Sequence, residues 1–460
     1  LRSVGNSADY SLFSYDNLGN LIQAINQDVT MSFSYDAVGR LLSENVNGKT
    51  ISYDYSDNGN IVNIVYPSGK SVINNYDTRD RLVDVSVNGL PLASMEYDNA
   101  NSLAKKSFAN GMEINYHYDS KGRITSLNDN LGEMNYNFGY DGVGNMLFRR
   151  DLVNTLESQQ FVYDELSRLV NYKVGEMSSV NEMLSTSQNT QYNLDNMGNR
   201  TSIVFNGLVT DYSVNSMNAY VDITTDGMTK VLNYDDKGNI CSDEAHTYQY
   251  DNENQRISVD EGRVLYKYDA LGRLYQVQTQ NRDQTETINY YYSGDNLIEQ
   301  WAEDDHFQSS YVYGINSRDV LQFASESSSY YFIKDQLGST VALTDVANNV
   351  LERYKYDAYG DVQCFDGQRN TRSTSQYGNF NLYTGSFMDP VLNTYQINGR
   401  TYETEIGRCV EPNQTKGGNE NQYSDKGYFN SLKNDVVDFF DADNWNYYPI
   451  SDFFSVDSFI

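Results

Sequence analysis

Cysteine is nearly absent from the 460 residues. Cys241, Cys364 and Cys409 are far apart and odd in number, so no disulfide framework is indicated. The three histidines, His117, His246 and His306, fall in separate stretches with no second His or Cys close by. That spacing leaves each as a wall residue, not a metal ligand, and no metal site or cofactor is expected. No apolar run approaches the roughly 20 residues needed to cross a bilayer. The opening LRSVGNSADYSLFSYD lacks the apolar core of a secretion signal. It also starts without Met and partway into a repeat, as a fragment of a longer chain would. Basic residues are outnumbered, 33 Lys and Arg against 63 Asp and Glu, for a net charge of −30. Direct nucleic-acid binding is therefore not expected, because phosphate contacts need clustered cations. The acid is expected on a solvated exterior. Hydrophobic residues make up 39%, too few for an ordinary thick core.

What is abundant is tyrosine: 41 residues, against 2 tryptophans. An apolar ring with a polar tip suits a strand surface that is packed yet near water. The tyrosines are also periodic. The unit Tyr-Asp-x-x-Gly-(Asn/Arg), followed by apolar residues, starts at Tyr15, Tyr35, Tyr118, Tyr140, Tyr234 and Tyr268, with its glycine at Gly19, Gly39, Gly122, Gly144, Gly238 and Gly272. Looser copies start at Tyr55, Tyr76, Tyr97, Tyr163, Leu194, Val214 and Tyr250. Most copies are about 20 residues apart, a period that denotes stacked supersecondary units.

The unit reads as a β-hairpin. In YDAVGRLLSENVNGKTISYDY, DAVGR is a turn in which Gly39 can take positive φ. RLLSENV is a strand, NG a two-residue hairpin turn, and KTISYDY the return strand. The repeated Tyr closes the return strand and forms a ladder of rings with its neighbours. The Asp accepts backbone N–H bonds in the turn. The longer interval from Tyr163 to Leu194 is a repeat with an extended loop. Beyond Tyr268 the strand character continues without the Tyr-Asp turn.

From Tyr330 the sequence becomes specific. It reads YYFIKDQLGSTVALTD, then RYKYDAYGD, then YTGSFMDPVLNTYQINGRTYETEIGRCVEP. Asp335, Gly338 and Ser339 mark one turn, and Tyr356, Asp357 and Gly360 another. These motifs, together with the array, resemble the Rhs/YD-repeat family over roughly residues 10–412. That family comprises bacterial polymorphic-toxin shells, the C components of Tc toxins, and the animal teneurins as relatives. The resemblance implies an all-β fold, a spiralling sheet of hairpins forming a hollow shell-like wall that the core region closes at one end. It divides the chain into a repeat array (1–329, incomplete at its start), a core region (330–412) and a variable tail (413–460) that is a truncated or vestigial cargo segment.

In toxin members of the family the end of the core resembles an aspartyl autoprotease, RxYDxxxGR followed by DPxG. Arg400, Gly407 and Arg408 match. The two catalytic aspartates fall on Glu403 and Glu411, and the glycine after the second is missing. Paired carboxylates divide acid and base roles between them. An extra methylene on each displaces both, and misplacement near 1 Å can cost about a hundredfold in rate. The resemblance thus implies at most a degenerate autoprotease built on Glu403, Glu411 and Arg400. The tail, which contains no His, Cys or Arg, is poorly supplied for a His-based nuclease, a zinc deaminase or a Cys-based hydrolase.

The implied function is a secreted or cell-surface shell whose own signal is not within this stretch. It would enclose the C-terminal segment as cargo and deliver it in intercellular competition or host attack, with secretion apparatus or a cell-surface ligand as further partner. The alternative is a non-catalytic adhesion or surface-display protein.

Overall fold

The computed structural model describes residues 2–6, 9–282, 284–397 and 400–410. Their regular structure is strand, apart from three single-turn 3-10 helices at Thr155–Glu157, Asp260–Gly262 and Tyr383–Gly385. A 22-stranded antiparallel sheet runs from Arg2–Asn6 to Met228–Val231, each strand pairing with the next in sequence. A short pair, Asn233–Tyr234 and Ile240–Ser242, leads into a 13-stranded sheet from Tyr248–Tyr250 to Thr371–Arg372. A 4-stranded sheet, from Phe387–Met388 to Arg408–Cys409, ends the described chain. Neither long sheet closes into a barrel.

The repeat unit has one local geometry. Asp36 N–H donates to the Arg40 carbonyl at 2.9 Å and Gly39 N–H to the Asp36 carbonyl at 3.2 Å. The Asp36 carboxylate accepts the N–H groups of Val38 and Arg40, both at 2.9 Å. Gly39 takes φ 87°; five of the seven looser copies place Asp80, Asn101, Ser167, Asn218 and Asn254 in the same left-handed region. Asn and Asp tolerate it better than other side chains, which is why the turn survives loss of its glycine. A bulge falls at each motif tyrosine, as between Ser34 and Tyr35.

In most repeats the motif tyrosine ties its hairpin to the one before. Tyr35 donates to the Leu21 carbonyl at 2.8 Å, Tyr118 to Leu103 at 2.8 Å, Tyr140 to Ile124 at 2.9 Å, Tyr234 to Tyr220 at 2.6 Å and Tyr268 to Arg256 at 2.9 Å. Each such bond contributes about 1 kcal/mol net, and its acceptor is a carbonyl at a strand start. In three copies that end in Arg, the guanidinium covers the next repeat's ring: Arg40 lies 4.9 Å from the Tyr55 centroid, Arg81 4.4 Å from Tyr97, and Arg123 4.8 Å from Tyr140. Between Tyr268 and Tyr356 the Tyr-Asp turn lapses but the tyrosine bond does not. Tyr292 reaches the Leu274 carbonyl and Tyr313 that of Leu297, both at 2.8 Å. The hydroxyl bond depends on ring position at the strand end, so it outlasts the turn sequence.

The two long sheets stack as successive layers of a spiral. Their contacts run in step: Asp28 with Lys267 at 3.2 Å, Ser68 N–H with Glu299 at 3.1 Å, Arg353 with Glu133 at 2.5 Å, and Lys355 with Glu157 at 2.6 Å. Lys106 with Asp319, and Arg273 with Glu44, are buried ion pairs in the same seam. Hydrogen-bonded partners across the seam stand 190 to 245 residues apart. One apolar cluster, from Leu21 through Phe138 and from Tyr275 through Ala342, is shared by both layers. First-layer hairpin tips meet second-layer turns of both kinds: Asn26 donates to the Tyr268 carbonyl at 2.8 Å, and Asn348 to the Asn110 carbonyl at 2.8 Å. A single turn motif therefore has two environments. Leu18 and Val38, at first-layer turns, are 78% and 77% exposed, whereas Leu271, at a second-layer turn, packs on the shared cluster.

Candidate functional site

The site is assembled where the last sheet folds back over the wall. Three tyrosines of that segment hold one turn of the second layer. Tyr383 donates to the Ala358 carbonyl at 3.3 Å, Tyr402 to Tyr359 at 2.9 Å and Tyr395 to Gly360 at 3.2 Å. The core motif residues thus act as a docking turn. Tyr356 donates to the Thr340 carbonyl at 2.8 Å, and Ser339 Oγ accepts the Thr384 N–H at 3.0 Å. Asp335 accepts the N–H of Leu337 and of Ser339 at 2.9 Å, and Gly338 N–H closes the turn on the Asp335 carbonyl. Burial pushes the Asp335 carboxyl up against the opposing pull of Arg149, and that of Asp357 up against its turn N–H bonds and Arg200. In the exposed first-layer turns the same aspartate is held below its usual range, as at Asp36 and Asp119, where hydrogen bonds outweigh burial.

Two arginines pin the segment to the first layer. Arg200, 2% exposed, lies 3.9 Å from the Tyr359 ring centroid and donates to the Glu405 carbonyl at 3.3 Å. Arg408 lies 3.8 Å over Tyr220 and donates to the Asn218 carbonyl at 2.7 Å and to Asn199 Oδ1 at 3.1 Å. Gly407 makes this approach feasible. It has φ 67°, and a Cβ there would stand 1.9 Å from Arg200 Nη2.

Glu403 ends the strand Arg400–Glu403, paired with Arg408 across the ladder. Its carboxylate is 3.6 Å from Lys230, which also binds Glu405 at 2.8 Å and Asp243 at 3.4 Å. Burial pushes the Glu403 carboxyl up, against the pull of Lys230 and with the push of Glu405 and Asp243. The Lys230 ammonium is held above its usual range, because the three carboxylates outweigh its burial. Arg400 opens the same strand, three residues before Glu403. Glu411 lies outside the described residues, as does the tail. Among the described residues, no group of three His, Cys, Asp or Glu side chains is arranged to hold a metal ion.

Arg200 and Lys230 have no place in the sequence reading. One signal does point to Arg200. The residue after each motif is aliphatic at Leu21, Leu41, Leu103 and Ile124, yet it is Arg200 and Tyr220 in two consecutive copies.

A spiral of Tyr-Asp hairpins capped by a segment that folds onto its tyrosine-bearing face is a YD-repeat shell, the fold class of Tc-toxin shells. The family model described as Teneurin YD-shell matches residues 5–91 and 128–434, and the chain belongs to that family. Among solved structures, the chain is similar to TcdB2-TccC3, with TM-score 0.72 and 15% identity over 94% of this chain and 25% of that one. It is also similar to the Photorhabdus luminescens Tc holotoxin pore, with TM-score 0.70 and 14% identity over 88% of this chain and 23% of that one. Curated relatives include the tRNA3(Ser)-specific nuclease WapA of Bacillus spizizenii and the tRNA nuclease WapA of Bacillus subtilis. Each is 24% identical over 382 residues, 80% of this chain. The chain spans 15% of the length of those relatives. No helix among the described residues is long and apolar enough to cross a membrane.

Proposed function

We propose that this chain is the wall of a toxin-type shell that encloses the segment following its core and delivers it, as a secreted or surface protein, in competition between cells or attack on a host. Within that reading the repeat array (1–329) is the wall, the core (330–412) is its inward cap, and 413–460 belongs to the cargo. The observation that carries it is the anchoring of residues 400–410. Arg200, Arg408 and Lys230 fix that segment on the tyrosine-bearing face of the first layer, so the chain is led towards that face and not off the sheet edge.

Self-cleavage is proposed to be lost. The Glu403 carboxylate is committed to Lys230. The same commitment suits the second reading, an uncleaved surface-display wall.

Limited chymotrypsin digestion of the full chain, followed by mass spectrometry, tests enclosure. Peptides from 413–460 are expected no earlier than peptides from the wall. Their release within the first minutes, with the wall intact, would refute it. Intact mass of the wild type beside Glu403→Ala and Glu411→Ala tests cleavage. One uncut mass is expected for all three, and a wild-type cut that both variants abolish would restore the autoprotease.

A further inference from the structure

A cavity of about 460 Å³ lies between the layers, lined from the first by strands between Asn135–Tyr140 and Arg200–Phe205 and from the second by strands between Thr340–Thr344 and Val362–Asp366. Tyr136, Tyr172, Tyr192 and Tyr354 contribute rings to its wall, and Arg149 and Arg200 contribute cations. The Arg149 guanidinium lies 4.5 Å from the Tyr136 centroid and has only a long contact, 3.7 Å, to Asp335. The Nε atoms of Arg149 and Arg200 are buried and donate to no group.

Most of the acids that line the cavity are already engaged. Glu133 is bound by Arg353 and Glu157 by Lys355. Asp151 accepts the N–H groups of Val153 and Asn154, and Asp357 those of Tyr359 and Asp361. What remains unsatisfied is cationic donor capacity set beside tyrosine faces. A carboxylate next to an aromatic ring answers both needs, through a charge-assisted hydrogen bond and ring packing.

We propose that this cavity is a docking pocket for a peptide carrying interspersed aromatic and carboxylate side chains, and that its occupant is this chain's own residues 435–459, DVVDFFDADNWNYYPISDFFSVDSF. The stretch holds six Asp and no Lys or Arg. Thr404 and Glu405 line the cavity, so the chain passes its mouth shortly before the tail begins. The intervening residues, at about 3.3 Å each when extended, are long enough to return to it. This inference rests on the enclosure reading above and names where the enclosed segment is held.

The test replaces Phe205, a lining residue, with photoreactive benzoylphenylalanine in the full chain. After irradiation and digestion, adducts are expected on peptides from 435–459. In an Arg149→Met background, loss of one charge-assisted bond should lower their yield about tenfold. Adducts elsewhere, or none, would overturn the pocket assignment. If the tail nevertheless resists chymotrypsin, enclosure stands and only its docking point is wrong. If the tail is released at once, the enclosure reading itself fails.

Discussion

Lys106→Met is the sharpest probe of the spiral, because Lys106 joins two strands of different layers. Its ammonium pairs with Asp319, and both side chains are 5% exposed. The pair is 213 residues apart in sequence, so the contact exists only if the layers stack. The other Asp319 oxygen accepts the Ile315 N–H at 3.0 Å. Removing the ammonium leaves a buried carboxylate with one backbone donor. Breaking a buried pair from one side costs about 3–5 kcal/mol. Unfolding entropy of about 2.1 cal/mol/K per residue gives roughly 1 kcal/mol/K for a chain of this size, so the melting temperature should fall by about 3–5 °C. Lys106→Met/Asp319→Asn removes the stranded charge and keeps an acceptor for Ile315. It should recover most of the loss, with a coupling of about 2–3 kcal/mol in the double-mutant cycle. Urea unfolding supplies the energies. Hydrogen exchange should show opening at 315–320 in the single variant. A single variant within about 1 kcal/mol of wild type, or a double variant no better than the single, would refute the stacked-layer reasoning.

Gly407→Ala drives a methyl against Arg200 and holds a non-glycine residue at positive φ. Overpacking and left-handed strain together should cost about 2–4 kcal/mol and loosen residues 400–410 in hydrogen exchange. Unchanged exchange there would show that the Arg200 clamp is not needed. Lys334, 7% exposed, has its ammonium pushed down to about 7 by burial, from an ordinary 10.5. The unfolded chain therefore binds more protons between those values, and this group makes stability rise with pH across that window, by up to about 1.4 kcal/mol per unit. Lys334→Met should flatten the rise between pH 7 and 9 in urea titrations, and an identical slope in both proteins would contradict the burial argument.

Much of this protein was determined within twenty residues at a time. The hairpin, the Tyr-Asp turn and the meander follow from hydrogen bonds between near neighbours. Asp36 meets its own turn and Tyr35 the preceding strand, so a period visible in the sequence becomes a sheet. The family resemblance rests on those same local motifs, together with the core segments. The tertiary structure alone decided which turns are buried. Sheet twist accumulates strand by strand and sets which residues meet one layer on, at separations of 190 to 245 residues that no local pattern encodes. Leu18 and Leu271 occupy the same motif position, yet one is solvated and the other packed. Arg200 became a clamp for the same reason: it replaces an aliphatic residue where Tyr359, Glu405 and Gly407 return to the wall, a meeting created by the spiral and not by the repeat.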